Sequence, residues 1–200
     1  LLTHLNTAVP YIAITGLPGA GKTALAGRLA EHLPGRLIVA QLTARQLEAF
    51  YADPSSNAWE MELEFLETRA YLLAANSPDW SDSRRVSISD FWLGQSLAYT
   101  TAWMPPSRQR EFLQEWEESR RRAVAPKLIV LVDVSVGQIL DQLARQGRRL
   151  PPRLESKLDQ IRQALVAQAT QPGQGPLLRL TNQRADQTLA EVVAAVEAMK

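Results

Sequence analysis

A glycine-rich stretch at residues 16–23, GLPGAGKT, constrains the fold more than any other part of this 200-residue chain. It fits the pattern G-x-x-x-x-G-K-[ST], a phosphate-binding loop that joins a strand to a helix. The apolar run at residues 11–15 precedes it and predicts a buried strand. Leu25, Leu29 and Leu33 follow at the spacing of one helix face. This order of strand, loop and helix predicts an α/β domain built around a phosphate site.

The residue types of the loop suit a nucleoside triphosphate. Glycines let backbone N–H groups approach phosphate oxygens, and the following helix directs its positive end toward the same anion. We expect Lys22 to reach the outer phosphates of ATP and the Thr23 hydroxyl to help hold Mg²⁺. The alternative is a glycine-rich turn before an ordinary helix. The expected phosphate-binding residues are Gly16, Gly19, Ala20, Gly21, Lys22 and Thr23.

Composition excludes several other classes of protein. The chain has no cysteine, which excludes disulfides, thiolate metal sites and a cysteine nucleophile. A net charge of +1 gives no reason to expect a nucleic acid polymer or a membrane as partner. No apolar run approaches the ~18 residues of a membrane span, so a cytoplasmic location is expected. We expect a single domain over residues 1–200; the first residue is Leu1 rather than Met, as in a segment of a longer chain.

Strand-like and helical segments alternate along the chain. The expected strands lie at residues 11–15, 36–41, 85–89, 127–134 and 177–180. Helices are expected between them, including residues 57–76, 91–103 and 154–170. The pattern predicts a five-stranded parallel sheet flanked by helices in three layers, with ligands at the carboxyl ends of the strands.

Capping residues predict where the helices begin and end. Asn57, with Glu60 three residues later, would cap the long helix after the second strand. Ser107 and Asp186 would cap two later helices, and Gly147 would end the helix after strand four. The long helix carries an apolar stripe formed by Trp59, Leu63, Leu66, Ala70 and Leu73.

The order of elements narrows the class of nucleotide-binding protein. The chain lacks the N-K-x-D motif that recognises guanine in GTPases. A long helix after strand two and an arginine-rich segment after strand four are typical of a small-molecule kinase. In that P-loop kinase-like fold, the long helix forms an acceptor pocket and residues 145–153 form a closing lid.

Several short blocks carry a family resemblance. They are FYADP at 50–54, AW at 58–59, FLETR at 65–69, SDF at 89–91, PKLIV at 126–130 and GR at 147–148. In this order and spacing they resemble the deoxynucleoside kinase family, over most of the chain from Ile12 to about Leu165. The resemblance implies transfer of the ATP γ-phosphoryl group to the 5′-hydroxyl of a deoxynucleoside, and a homodimer.

The resemblance also implies roles for individual residues. Glu62 stands where the family has a base-recognising glutamine, and Arg69 and Asp90 stand at positions that line the nucleoside pocket. Glu62 and Arg69 are two helical turns apart, so both can face one cleft. Trp59 is expected to stack on the base, as Phe65 could. The competing interpretations are a surface coincidence for the charged pair, a helix N-cap for Asp90 and core packing for the aromatics.

Arg85 and Arg148 are the remaining catalytic residues implied by the resemblance, but nearby positions depart from the family pattern. Gln41 stands where the family has the carboxylate that accepts the hydroxyl proton, and an amide has no useful basicity. Arg84 replaces a glutamate linked to Mg²⁺, and Gln146 replaces a lid arginine. Candidate substitutes for these groups are Asp53, Asp133, Glu48, Arg145 and Arg149.

Three functions remain open at this point. The first is an active nucleoside kinase. The second is a kinase-like domain that binds nucleotide with weak or no catalysis, as part of a fused polypeptide; the departures at Gln41, Arg84 and Gln146 favour it. The third is a kinase for another small acceptor, which a glutamate at position 62 favours.

Overall fold

The computed structural model describes residues 10–40, 53–80, 85–181 and 185–199. The strands are β1 (Tyr11–Gly16), β2 (Arg36–Ile38), β3 (Ser87–Ser89), β4 (Leu128–Val132) and β5 (Leu177–Leu180). The helices are α1 (Lys22–His32), α2 (Pro54–Leu72), α3 (Gln95–Trp103), α4 (Pro106–Arg122), α5 (Val136–Arg145), α6 (Pro152–Glu155), α7 (Leu158–Ala169) and α8 (Ala185–Glu197). Among these described residues, no helix combines the length and the apolar character needed to cross a membrane.

The five strands form one parallel sheet in the order β2-β3-β1-β4-β5. Every residue of β1 and of β4 is buried, because both strands are covered on the two faces of the sheet. Helix α1 packs against α8, while α3 packs against α2, α4 and α7. The predicted α/β fold with a five-stranded parallel sheet is therefore confirmed.

Three strands are shorter than the sequence predicts; the fourth, expected over residues 127–134, spans Leu128–Val132. The second strand was expected over residues 36–41 but ends at Ile38, and Leu37 is 41% exposed. It lies at the edge of the sheet, where no other strand of the described residues pairs with its outer side. The third strand begins at Ser87 rather than at Arg85.

The N-cap of the long helix lies four residues before the predicted one. Asp53 is the N-cap: its side chain accepts a hydrogen bond from the Ser56 amide, and Pro54 occupies the first helical position. The expected cap, Asn57, lies inside the helix and donates its side-chain amide to the Asp53 carbonyl at 2.9 Å. Asp followed by Pro is the stronger start signal, because proline has a fixed φ and no N–H to satisfy.

The same helix ends at Leu72 rather than near residue 76. Its continuation pairs with the chain after α4: Ala74 forms an antiparallel bridge with Ala123, and the Val124 amide donates to the Leu73 carbonyl at 2.8 Å. These bonds use backbone groups that a longer helix would need for itself.

Other helix boundaries also differ from the predictions. Helix α4 starts at Pro106 after Pro105, with no side-chain cap, so the expected cap Ser107 lies inside the helix. Asp186 lies inside the first turn of α8 and pairs with Arg28 at 2.6 Å. Residues 91–94 precede α3 instead of belonging to it, and the helix expected at 154–170 is divided into α6 and α7. Gly147 follows α5 with φ +66°, as its predicted role requires.

Candidate functional site

Glycines allow the loop after β1 to lie tightly against its neighbours. A Cβ at Gly16 would lie 2.6 Å from the Val132 carbonyl oxygen of β4. One at Gly19, where φ is +81°, would lie 2.9 Å from a methyl carbon of Leu143 on α5. Gly21 precedes α1 with φ +82°, which an L side chain rarely adopts. The loop therefore has the compact glycine-dependent form that an anion site at the start of α1 requires.

Lys22 is the first residue of α1 and folds back over the loop. Its ammonium group donates a hydrogen bond to the Leu17 carbonyl at 2.9 Å. Burial lowers the pKa of Lys22 to about 8; Asp90 opposes this shift, and the positive charge of Arg69 adds to it. The predicted phosphate-binding lysine thus lies within the electrostatic reach of two other predicted site residues.

Thr23 and Asp90 form the next contact of the site. The Thr23 hydroxyl donates to Asp90 Oδ2 at 2.6 Å, which joins the start of α1 to the end of β3. Asp90 is 9% exposed and caps no helix, since α3 begins at Gln95. Because the hydroxyl gives its hydrogen to Asp90, its lone pairs are left for a cation. A hydroxyl beside a carboxylate is an oxygen donor set that fits Mg²⁺.

Glu62 and Arg69 lie on one face of α2, and both are buried, at 2% and 6% exposure. Burial raises the pKa of Glu62 to about 7, and Arg69 opposes the rise. Arg69 donates to the Ser96 hydroxyl at 2.6 Å, and its guanidinium lies 4.5 Å from the ring centre of Phe65. Burial lowers the pKa of Arg69, while the charges of Glu62, Tyr99 and Asp90 counteract this shift. The surface interpretation of this pair is therefore wrong.

Three polar residues of this region were missed by sequence reasoning. Thr15 donates to Gln95 Oε1 at 3.1 Å, and the Trp92 amide approaches the same oxygen at 3.3 Å. Gln95 thereby joins β1 to the start of α3, and the next residue, Ser96, binds Arg69. No sequence signal marks these residues, because their role depends on how α3 packs beside β1.

The two predicted aromatic residues have different surroundings. Trp59 is partly buried; it meets Phe112 edge to face, and the Arg108 guanidinium lies 4.0 Å from its ring centre. Phe65 contacts Arg69 as described above. Stacking of Trp59 on a base stays a prediction.

The arginines expected to act in catalysis are exposed. Arg85 precedes β3, and Arg148 lies in the irregular stretch between α5 and α6. This stretch lies within the predicted lid, residues 145–153, whose last residue is Arg153 in α6. Arg153 lies 4.0 Å from Asp53, which precedes α2. The departures Gln41 and Arg84 and the candidate Glu48 lie outside the described residues.

Asp133, a candidate substitute for the missing carboxylate, forms ion pairs with two arginines. Its two oxygens accept hydrogen bonds from Arg162 Nε at 2.6 Å and Arg179 Nε at 2.7 Å, and its side chain is 1% exposed. The other candidate, Asp53, caps α2. Neither carboxylate contacts the loop in the described part of the chain.

The chain is similar to known kinases in sequence and in fold. No family model matches the chain. A deoxyguanosine kinase of Bacillus subtilis (strain 168) is 24% identical over 160 residues, which cover 78% of this chain and 76% of that protein.

Solved structures share the fold at lower sequence identity. A deoxyadenosine kinase from M. mycoides with bound dATP has a TM-score of 0.75 at 14% identity, covering 94% of this chain and 99% of that one. The thymidylate kinase of Candida albicans has a TM-score of 0.68 at 16% identity, covering 96% of this chain and 92% of that one. In sequence and in fold, the chain is thus similar to P-loop deoxynucleoside kinases.

Proposed function

We propose that this protein transfers the γ-phosphoryl group of ATP to the 5′-hydroxyl of a deoxynucleoside. The observation that carries the proposal is a continuous polar cluster. It runs from the phosphate loop through Lys22 and the Thr23–Asp90 hydrogen bond to the buried pair Glu62 and Arg69. A donor site and a polar acceptor site on α2 would then lie side by side, as phosphoryl transfer requires.

On the donor side, the loop amides and the start of α1 would bind the triphosphate, with Lys22 at its outer phosphates. Thr23 and Asp90 would hold Mg²⁺, directly or through water, and the ion would neutralise charge on the phosphates. Arg85 and Arg148 would approach the transferring group after the lid closes; their exposure leaves both side chains free to move. These roles rest on the family resemblance and on the geometry of the loop.

On the acceptor side, α2 supplies the residues that would bind the nucleoside. Two similar proteins are a deoxyguanosine kinase and a deoxyadenosine kinase, which supports a deoxynucleoside as acceptor. Losing a general base typically costs ~10²–10⁴-fold in rate, but positioning and charge neutralisation supply most of the catalysis of phosphoryl transfer. A slow kinase is therefore compatible with glutamine at position 41.

The test follows ADP and nucleoside monophosphate formation with ATP, Mg²⁺ and a panel of deoxynucleosides. We expect transfer to at least one nucleoside and its loss in Lys22→Ala, because the ammonium at the outer phosphates is removed. Lys127→Ala, at an exposed lysine before β4, is the matched control and should keep full activity. Activity retained by Lys22→Ala would refute the assignment of the loop.

A second candidate function is a nucleotide-binding domain with weak or no transfer. It is favoured by the engagement of Asp133 with two arginines and of Asp53 with the start of α2, since neither is then available to replace a catalytic acid. Tight ATP binding without ADP formation would support it. Turnover only with another small hydroxyl acceptor would instead support the third function.

Location and assembly are further proposals, and only the assembly follows from the resemblance. We expect a cytoplasmic protein and a homodimer formed through helices. Light scattering coupled to gel filtration gives the mass in solution, and a monomer at micromolar concentration would contradict the dimer.

A further inference from the structure

The phosphate loop is anchored on both sides to one buried segment of the chain. This connector, residues 90–96, runs from the end of β3 into the first turn of α3, and every residue of it is buried. Before the loop, the Thr15 hydroxyl donates to Gln95 Oε1 at 3.1 Å. After the loop, the Thr23 hydroxyl donates to Asp90 Oδ2 at 2.6 Å. The position of the connector therefore sets the position of the loop.

The same connector is also bound to α2, the helix that would hold the acceptor. Ser96, which follows Gln95, accepts a hydrogen bond from Arg69 Nη1 at 2.6 Å. Ser96 and Gln95 are 0% and 5% exposed, so water does not compete for either contact. Two neighbouring residues of α3 thus join α2 to β1, the strand that leads into the phosphate loop.

The turn inside the connector is closed by several bonds, which makes it rigid. Trp92 and Gln95 bind each other twice: the Gln95 amide donates to the Trp92 carbonyl at 3.0 Å, and Gln95 Oε1 accepts from the Trp92 amide at 3.3 Å. The Leu93 carbonyl accepts a hydrogen bond from Trp116 Nε1 of α4 at 3.1 Å. A Cβ at Gly94 would lie 2.4 Å from the Trp92 ring, so the indole packs directly against the turn. A shift of the loop relative to α2 would have to break these contacts.

We propose that Gln95 is a positioning residue for phosphoryl transfer, which holds the phosphate loop and α2 at the separation that the reaction needs. This inference rests on the proposed function and adds a residue to it. Gln95 acts through Thr15 on the loop and through its neighbour Ser96 on Arg69, without binding either substrate. Most of the catalysis of phosphoryl transfer comes from positioning and charge neutralisation, and a misplacement of about 1 Å can cost ~100-fold in rate.

The carboxamide of Gln95 suits this role chemically. Its oxygen accepts two hydrogen bonds, one from a side chain of β1 and one from a main-chain amide, and it carries no charge. A glutamate could accept the same two bonds, but its negative charge would repel a triphosphate bound at the loop. A neutral acceptor is therefore the side chain that links these elements without weakening an anion site.

The first experiment breaks the link at Thr15 and measures transfer from ATP with Mg²⁺ to a deoxynucleoside. Thr15→Val keeps the shape, suits a strand and leaves Gln95 Oε1 bound to the Trp92 amide. We expect kcat to fall ~10–100-fold while both KM values stay within about 3-fold, because only alignment in the transition state is lost. More γ-phosphoryl groups should pass to water, giving ADP and inorganic phosphate without nucleoside monophosphate. Thr15→Ser keeps the hydroxyl and should restore kcat.

Thr100→Val is the matched control. Thr100 is 2% exposed on the same helix α3, and its hydroxyl donates to the Leu97 carbonyl of that helix at 2.8 Å. Each valine variant loses one buried hydrogen bond, so both should lower the unfolding midpoint by about 2–4 °C. Only Thr15→Val should lose kcat. Equal kcat in the two variants would overturn the inference, as would a loss in Thr15→Val that arises from KM for ATP alone.

A binding measurement separates this inference from the proposed function. Titration of the nucleoside with and without a non-hydrolysable ATP analogue gives the coupling between the two sites. We expect the analogue to change nucleoside affinity at least ~5-fold in the unmodified protein and in Thr100→Val. In Thr15→Val, and in Gln95→Met, which breaks the link from its other side, the change should be less than about 2-fold.

The possible outcomes distinguish the two proposals. Coupling that is lost only in the two link variants, in a protein that transfers no phosphate, keeps Gln95 as the link between the sites and refutes the kinase. Phosphoryl transfer with unchanged kcat and unchanged coupling in both link variants refutes this inference and keeps the kinase. Equal coupling in all four proteins would also overturn the inference.

Discussion

At Gly19, the backbone conformation and the nearby helix both exclude a side chain. Its φ is +81°, and a Cβ would meet Leu143 at 2.9 Å and Ile139 at 3.0 Å. We expect Gly19→Ala to lower the free energy of unfolding by about 1–3 kcal/mol and to weaken ATP binding. Gly27→Ala in α1 is the control, because its Cβ would meet nothing within 4 Å, and it should be neutral or stabilising by up to ~1 kcal/mol. Urea denaturation compares the two; equal stability of both variants would contradict the strain assigned to Gly19.

Lys22 gives the phosphate site a predictable dependence on pH. The ammonium form attracts phosphate, and in the protein without nucleotide the pKa of Lys22 is about 8. Below pH 8 the charge is already present, so affinity for ATP with Mg²⁺ should be nearly constant. Above pH 8 binding must take up a proton, so affinity should fall by up to ~10-fold per pH unit. Calorimetry between pH 7 and 9.5 measures this.

The Lys22→Arg variant separates this effect from other titrations. Arginine stays charged throughout that range, so its affinity, although weaker, should be flat with pH. A flat profile in the unmodified protein would mean that Lys22 does not contact the phosphates.

At the scale of elements, Asp133 joins three parts of the chain. It follows β4 and accepts hydrogen bonds from Arg162 on α7 and Arg179 on β5, and its amide donates to Leu180. Asp133→Asn removes the negative charge between two arginines whose side chains are 33% and 46% exposed. We expect the free energy of unfolding to fall by about 2–3 kcal/mol. This is less than the full cost of breaking a buried ion pair, because both arginines are partly solvated. Thermal unfolding should show this destabilisation as a lower midpoint temperature for the variant.

An exposed pair provides the comparison. Asp186→Asn breaks the contact with Arg28, but the Asp186 side chain is 96% exposed, so this change should lower the midpoint little. An equal effect of both variants would show that burial of Asp133 contributes nothing.

The sequence predicted which strands and helices form better than it predicted where they end or which other elements they contact. Local signals sufficed for β1, β5 and the phosphate loop, because a continuous apolar run and a glycine motif are both local. They failed at Leu72, where α2 stops because Ala74 pairs with Ala123, a residue distant in sequence. The same limit explains why Gln95 and Ser96 were missed: only the packing of α3 brings them to the site.

At the scale of the whole molecule, the candidate site joins segments far apart in the chain. Thr23 contacts Asp90 across 67 positions, and Arg69 contacts Ser96 across 27. A ligand that contacts several of these segments binds the folded chain and not the unfolded one. Nucleotide binding should therefore stabilise the entire domain instead of one loop.

This coupling gives a prediction that requires neither turnover nor knowledge of the acceptor. ATP with Mg²⁺ at about 100 times its dissociation constant should add about 2.7 kcal/mol to the free energy of unfolding, because only the folded state binds it. For a domain of this size that corresponds to a rise of about 5–10 °C in the unfolding midpoint. At the same nucleotide concentration, the unfolding midpoint of Lys22→Ala should rise by much less, while that of Lys127→Ala should rise as much as in the unmodified protein. A shift of equal size in Lys22→Ala would place the nucleotide elsewhere on the molecule, since the loop amides alone lack the cation that the outer phosphates need.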